Sequence, residues 1–146
     1  MQPDRHVLAA EWRSSAAEDL RVAELLEKES PSTSAFHAQQ AAEKALKAAC
    51  IVAIDDAPRT HVINHLLDEL ATNGHEPDDR VRNAARVLDR FYAPTRYPDA
   101  LGGIDPNKVY VARDAEDAID EATLVLEFAD RIVAIDGPGS IAPPQP

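Results

Sequence analysis

A short loop motif, Arg96-Tyr97-Pro98-Asp99, carries the clearest chemical signal in this chain. Pro98 disfavours helical backbone at Tyr97, so the loop presents an arginine and an aspartate from a stiff segment. The planar guanidinium of arginine binds two phosphate oxygens at once. The motif therefore predicts either a phosphate contact made by Arg96 and Asp99, or a structural pair, Arg96 with Asp99 or with a helix, that fixes the loop on the bundle.

A second group of polar residues lies in the alanine-rich segment His37–Lys47. Gln40, Glu43 and Lys47 follow at steps of three and four, which places them on one helix face and allows a Glu43–Lys47 ion pair. One interpretation is a helix surface with a single ion pair. The other is a polar stripe inside a groove, able to bind phosphate or to position a partner.

Arginines form the third group, because Arg82, Arg86 and Arg90 follow at steps of four along a predicted helix. This stripe is the one basic region of an acidic sequence. It predicts a track for an RNA backbone. The alternative is neutralisation inside the molecule by the acidic last helix, residues 114–136.

The fourth group is Arg59, His61 and His65. A metal-independent ribonuclease needs an acid–base group that works near neutral pH and a cation for the charge on the reacting phosphorus. Histidine and arginine supply both. No carboxylate motif accompanies the histidines, so we predict no metal site and no cofactor, and we expect His37 to pack or cap the second helix.

Composition limits the class of protein. The net charge is −11, which repels nucleic acid at long range and restricts any RNA contact to a local basic patch. Cys50 is the single cysteine, which excludes an internal disulfide, and its apolar neighbours predict a buried, unreactive thiol. We find no apolar run of about 18 residues and no signal-peptide pattern, so we expect a cytoplasmic protein with no membrane contact.

The chain must position these groups with helices, since alanine and leucine outnumber β-branched residues. Apolar periodicity predicts five helices, a loop with an extended stretch near Val109–Val111, and a disordered Pro/Gly tail at 136–146. Pro31 and the Ser/Thr cluster after it are expected to end the first helix. Ser32, Thr33 or Ser34 is expected to cap the second helix and Thr60 the third. The sequence predicts one all-α, up-and-down bundle with helices at about 7–29, 35–54, 60–72, 78–92 and 114–135.

The order of these motifs resembles the HEPN family over about residues 7–135. The resemblance rests on Glu18-Asp19-Leu20, the helix Phe36–Ala48, Pro58-Arg59-Thr60-His61 and Arg96–Asp99. It points to the branch whose hallmarks are an AQQAAEKALKA helix and an RYPD loop.

The resemblance implies a helical bundle that is usually a homodimer. It also implies a prokaryotic gene paired with a small nucleotidyltransferase in a toxin–antitoxin or related system. Many members are ribonucleases that use an arginine and a histidine four to six residues apart. In this chain no histidine follows Arg96, because His75 is the last one, and the Arg59…His65 pair meets the spacing elsewhere.

Three hypotheses follow. The first is a binding module for a nucleotide, RNA or partner protein, in which Arg96, Lys47 and the arginine stripe contact phosphate and Asp99 orients Arg96. The second is a metal-independent endoribonuclease toxin, with His61 or His65 as the acid–base group and Arg59 or Arg96 as the cation. The third is a purely structural dimeric or antitoxin subunit.

Overall fold

Five α-helices account for most of residues 4–136, the part of the chain that the computed structural model describes. No β-strand occurs among these residues, so the predicted all-α bundle is confirmed. The helices are α1 (Arg5–Leu26), α2 (Pro31–Ile54), α3 (Ile63–Thr72), α4 (Asp79–Asp89) and α5 (Ala112–Asp136).

Helix α2 lies at the centre and packs along its length against α1 and α5. Small side chains let neighbouring helices approach closely, and α2 buries seven alanines along with the fully buried Leu46. Such a central helix has little exposed surface. Five of its polar residues are therefore buried as well, namely Ser32, Ser34, Gln39, Glu43 and Lys47.

The start of α2 differs from the prediction. Pro31 lies after the break between the first two helices and is itself the first residue of α2, because proline has no N–H to lose at that position and its φ is already helical. Two of the hydroxyls predicted to cap the helix bond to other segments. Ser32 Oγ donates to Asn107 Oδ1 at 2.8 Å, and Ser34 Oγ donates to the Ala23 carbonyl at 2.6 Å.

Helix α3 begins at Ile63, three residues later than predicted, and Thr60 does not cap it. The carboxylate of Asp89, at the end of α4, accepts hydrogen bonds from the backbone N–H groups of Ile63 (2.7 Å) and Asn64 (3.2 Å). This cap comes from a residue distant in sequence. As a result His61 lies in a non-helical segment before α3.

The long connection between α4 and α5 also departs from the prediction. Helix α4 ends at Asp89 rather than near Tyr92, and two short 3₁₀ turns follow at Pro98–Leu101 and Pro106–Lys108. A proline at the first position of each turn sets a helical φ. The predicted extended stretch is wrong at Val109, whose φ of −104° and ψ of −47° are helical.

Two further sequence predictions concern burial and the chain ends. Cys50 is a buried free thiol, and burial raises the pKa of its side chain to about 12, so it is unreactive as predicted. Within residues 4–136 no helix has the length and apolar character needed to cross a bilayer. The predicted tail lies outside the described residues, apart from Asp136 at the end of α5.

Candidate functional site

Arg96 is held by aromatic rings. Its guanidinium carbon lies 4.6 Å from the ring centroid of Phe36, 4.5 Å from that of Tyr92 and 4.8 Å from that of Tyr97. Its Nε donates to the Tyr92 carbonyl at 3.2 Å. Each cation–π contact contributes about 0.5–2 kcal/mol, and together they restrict the guanidinium without neutralising it.

This arginine lines a pocket of about 590 Å³, a volume within the range of small-molecule sites. The first turn of α2 forms one wall and the turn around Asp105–Asn107 forms another. The pocket, here called the Arg96 pocket, combines a guanidinium with hydroxyl, amide and imidazole groups. Its polar lining residues besides Arg96 are Ser32, Thr33, His37, Thr95, Asp105 and Asn107.

Asp99 does not pair with Arg96. It is exposed in the first 3₁₀ turn, and neither a hydrogen bond nor an ion pair joins it to Arg96. The aromatic rings therefore orient the arginine. The sequence hypothesis assigned this orienting role to Asp99. Aromatic stacking takes this role because Tyr97 and Tyr92 lie directly beside the guanidinium.

A buried ion pair extends from α2 toward Tyr92. Glu43 and Lys47 are 4% and 6% exposed, and Lys47 Nζ lies 3.3 Å from Glu43 Oε2, as the spacing predicted. The Glu43 carboxylate also accepts from His61 Nδ1 at 3.2 Å. The His61 ring in turn stacks on Tyr92 at 5.3 Å between centroids, with 13° between the planes. His61 and Arg96 are thus neighbours of one tyrosine ring.

Gln39 and Gln40 support this arrangement. Gln40 Nε2 donates to Gln39 Oε1 at 2.6 Å, and Gln39 Nε2 lies 3.4 Å from the His61 carbonyl oxygen. The predicted polar face of α2 is therefore an enclosed network that fixes the segment around His61. Lys47 ends this network with its ammonium 5.6 Å from the Trp12 ring centroid.

A second buried carboxylate, that of Asp19, contacts His37. Asp19 of α1 lies with Oδ1 2.9 Å from His37 Nδ1 and with Oδ2 2.7 Å from Lys44 Nζ. Lys44 Nζ also donates to Ser15 Oγ at 2.9 Å. His37 also lines the Arg96 pocket, a position that the packing or capping predicted from sequence did not include.

The predicted arginine stripe is divided among different contacts. Arg82 pairs with Asp68 of α3 at 2.7 Å, and Arg86 donates to Asn83 Oδ1 at 2.6 Å. Arg90 is exposed and has no ion pair with any described residue. Neutralisation does occur at Arg82, although the partner is α3 rather than the acidic α5.

The remaining ribonuclease candidates lie apart from the Arg96 pocket. Arg59 is exposed, and His65 Nδ1 lies 3.3 Å from Thr60 Oγ1 on the surface. Neither lines the pocket. Of the three candidates in this segment, only His61 approaches Arg96, through Tyr92.

Sequence reasoning missed Asp19, His37 and the aromatic rings around Arg96. Asp19 did offer a signal, because a charged residue lies three positions after Ala16 and four before Ala23, both on the buried face of α1. A carboxylate on a core-facing position requires partners. Within residues 4–136 no three His, Cys, Asp or Glu side chains are grouped to hold a metal ion.

Comparison with known proteins agrees with this architecture. The model of the HEPN domain matches residues 9–132. Two solved structures are similar, TT1696 from Thermus thermophilus (35% identity, TM-score 0.76) and ST0689, described as an archaeal HEPN homologue (32%, 0.71). Each alignment covers 85% of this chain and 97% of the other. No curated protein matches the chain. With a domain match over most of its length and the same bundle in two relatives, this chain belongs to the HEPN family.

Proposed function

We propose that this chain is a binding module for a phosphate-bearing ligand, a nucleotide or RNA, and that the Arg96 pocket is its site. The observation that supports the proposal is a guanidinium held among three aromatic rings at the wall of a pocket, with no carboxylate of residues 4–136 paired to it. A cation kept in place without a counterion is prepared to bind an anion.

The contrast with Arg82 strengthens this argument. Arg82 is already paired with Asp68, so a phosphate there would have to displace an internal ion pair. Arg96 donates its Nε–H to a carbonyl and leaves its terminal nitrogens for a ligand. Because the whole chain is acidic, the guanidinium at this pocket, unpaired within the described residues, matters more for an anion than the overall field does.

Replacing Arg96 with alanine should weaken binding of AMP and of a six-nucleotide single-stranded RNA by about 10- to 100-fold, the range expected when a charged hydrogen bond is lost. Isothermal titration calorimetry measures the affinity. Arg131→Ala is the matched control, because Arg131 is exposed on α5 and lies outside the pocket.

Equal affinities for wild type and Arg96→Ala would rule out this site. A large loss in Arg90→Ala with no loss in Arg96→Ala would move the site to the exposed end of the arginine stripe. Thermal unfolding of each variant separates loss of binding from loss of fold.

A second candidate function is metal-independent RNA cleavage, and the position of His61 favours it. His61 is a carboxylate-held imidazole that stacks on the same Tyr92 ring as Arg96, so an acid–base group and a cation contact one side chain. Its side chain is 55% exposed and accessible to a substrate.

If the chain cleaves RNA, His61→Ala should lower the cleavage rate by at least about 100-fold, the effect of removing a general acid–base group. Cleavage of a fluorescent RNA in the presence of EDTA measures it. His75→Gln is the control, since His75 is also held by a carboxylate, Asp136, and lies outside the pocket. Wild-type protein that leaves total RNA intact would exclude this function.

The family also supports proposals about assembly. HEPN domains commonly dimerise, and we propose that this chain forms a homodimer. We further propose that it acts with a small nucleotidyltransferase in a toxin–antitoxin-like pair. The alternative of a purely structural dimeric or antitoxin subunit predicts that Arg96→Ala changes no binding to nucleotide or RNA.

A further inference from the structure

The imidazole of His37 is a second candidate ligand-binding group of the Arg96 pocket, and the sequence motif did not assign it to a site. His37 lines the pocket one residue after Phe36, whose ring lies under the Arg96 guanidinium. The rings of Phe36 and His37 meet edge to face at 5.5 Å between centroids. Imidazole and guanidinium therefore both line the pocket, and each contacts the ring of Phe36.

The proton on the imidazole has a defined position. A carboxylate only accepts hydrogen bonds, so the contact of 2.9 Å between His37 Nδ1 and Asp19 Oδ1 requires the proton on Nδ1. Nε2 is then the nitrogen left for a ligand. In the neutral ring Nε2 is an acceptor, and phosphate oxygens are acceptors too. An ionised phosphate oxygen therefore forms a hydrogen bond with His37 only when Nε2 also carries a proton.

Charged groups on several elements face His37. Asp19 of α1 is 9% exposed, and its second oxygen lies 2.7 Å from Lys44 Nζ. Pairing at both oxygens offsets the desolvation of this buried carboxylate. The other charged groups at the pocket are Arg96, which disfavours a second cation, and Asp105, which favours it.

We propose that His37 is a second ligand-contacting residue of the Arg96 pocket, that Asp19 and Lys44 are positioning residues for it, and that binding of phosphate is coupled to uptake of a proton by His37. This inference rests on the proposed function of the pocket. It deepens that function, because the ligand's phosphate is held by two cations, one of which forms on binding.

Proton uptake is measured by calorimetry at pH 7 in two buffers that differ in ionisation enthalpy. The probes are AMP and a six-nucleotide 2′-O-methyl RNA without terminal phosphate, whose phosphodiesters hold no proton near neutral pH. Wild type should take up more protons per ligand than His37→Gln, by at most one, because the glutamine amide cannot be protonated. The variant should also bind about 10-fold or more weakly.

Asp19→Asn distinguishes positioning from mere structure. Its amide oxygen still accepts from Nδ1 but no longer stabilises a charged ring. The affinity, which falls as the pH rises, should therefore begin to fall at a lower pH in Asp19→Asn than in wild type. His75→Gln, a histidine held by a carboxylate outside the pocket, should match wild type in affinity and in proton uptake.

Wild-type affinity and unchanged proton uptake in His37→Gln would overturn the inference while leaving the pocket intact. If neither probe binds wild type, or if Arg96→Ala binds as well as wild type, the proposed function itself fails. The ligand-free protein gives an independent test through the ¹⁵N spectrum of its imidazoles. A His37 ring with its proton on Nε2 instead of Nδ1 would refute the positioning role of Asp19.

Discussion

Glu43→Ala should destabilise the fold by about 3–5 kcal/mol, the effect expected when one partner of a buried ion pair is removed. The substitution leaves the Lys47 ammonium enclosed without its counterion, since the side chains of Glu43 and Lys47 are 5% and 7% exposed. It also removes the acceptor of His61 Nδ1. Urea unfolding followed by circular dichroism measures the loss.

A double variant makes this prediction sharper. Replacing the pair by apolar residues of similar size, Glu43→Leu with Lys47→Met, removes both buried charges and should recover most of the stability. The exposed pair of Glu18 and Arg21 provides the control, because Glu18→Ala leaves both ends in water and should change stability little. A Glu43→Ala variant as stable as wild type would show that Lys47 reaches solvent.

Leu46→Ala should lower the free energy of unfolding by about 2–5 kcal/mol, because it opens a cavity in the core beside the central helix. Leu46 is fully buried and is surrounded by alanines on α2, whose short side chains have no reach to fill the space. A domain of this size has a total stability of about 5–15 kcal/mol, so the loss is a large part of it.

The control for this substitution is Leu25→Ala on α1, whose side chain is 63% exposed and should tolerate truncation. Both variants are measured by urea unfolding at equal protein concentration, since a dimer would make stability depend on concentration. Equal losses in the two variants would contradict the central position of α2. A loss confined to Leu46→Ala supports it.

The sequence predicted those parts of the fold that helix periodicity specifies. The apolar spacing located all five helices, and the end of α3 at Asn73-Gly74 followed from glycine, which has a φ of +92°. The beginnings of α2 and α3 were predicted less well. The N-terminal cap of α3 comes from Asp89, which lies 26 positions after Ile63, and no local pattern contains that information.

As with the fold, the sequence predicted only part of the candidate site. Spacing along one helix predicted the Glu43–Lys47 pair, and the proline after Tyr97 drew attention to Arg96. Spacing did not reveal that aromatic rings rather than Asp99 hold Arg96. Those rings come from α2 and from the segment after α4, and only packing brings them together.

The sequence also did not predict which arginine pairs with which carboxylate. The acidic α5 was the expected partner of the arginine stripe, yet Arg82 pairs with Asp68, and Asp130 of α5 pairs with Arg13 of α1 at 2.7 Å. Charge composition indicates that neutralisation is available. It does not indicate which helices become neighbours.

By itself, the sequence determined the helical class and the ion pair that one helix turn brings together, because these depend on residues three or four positions apart. The order of the motifs along the chain indicated the family. The tertiary structure alone decided which histidines meet carboxylates. His37 and Asp19 are 18 positions apart, as are His61 and Glu43, and both pairs form across separate segments. Burial in a close-packed core makes these pairings specific, since an enclosed carboxylate without a partner would cost a large part of the stability of the fold.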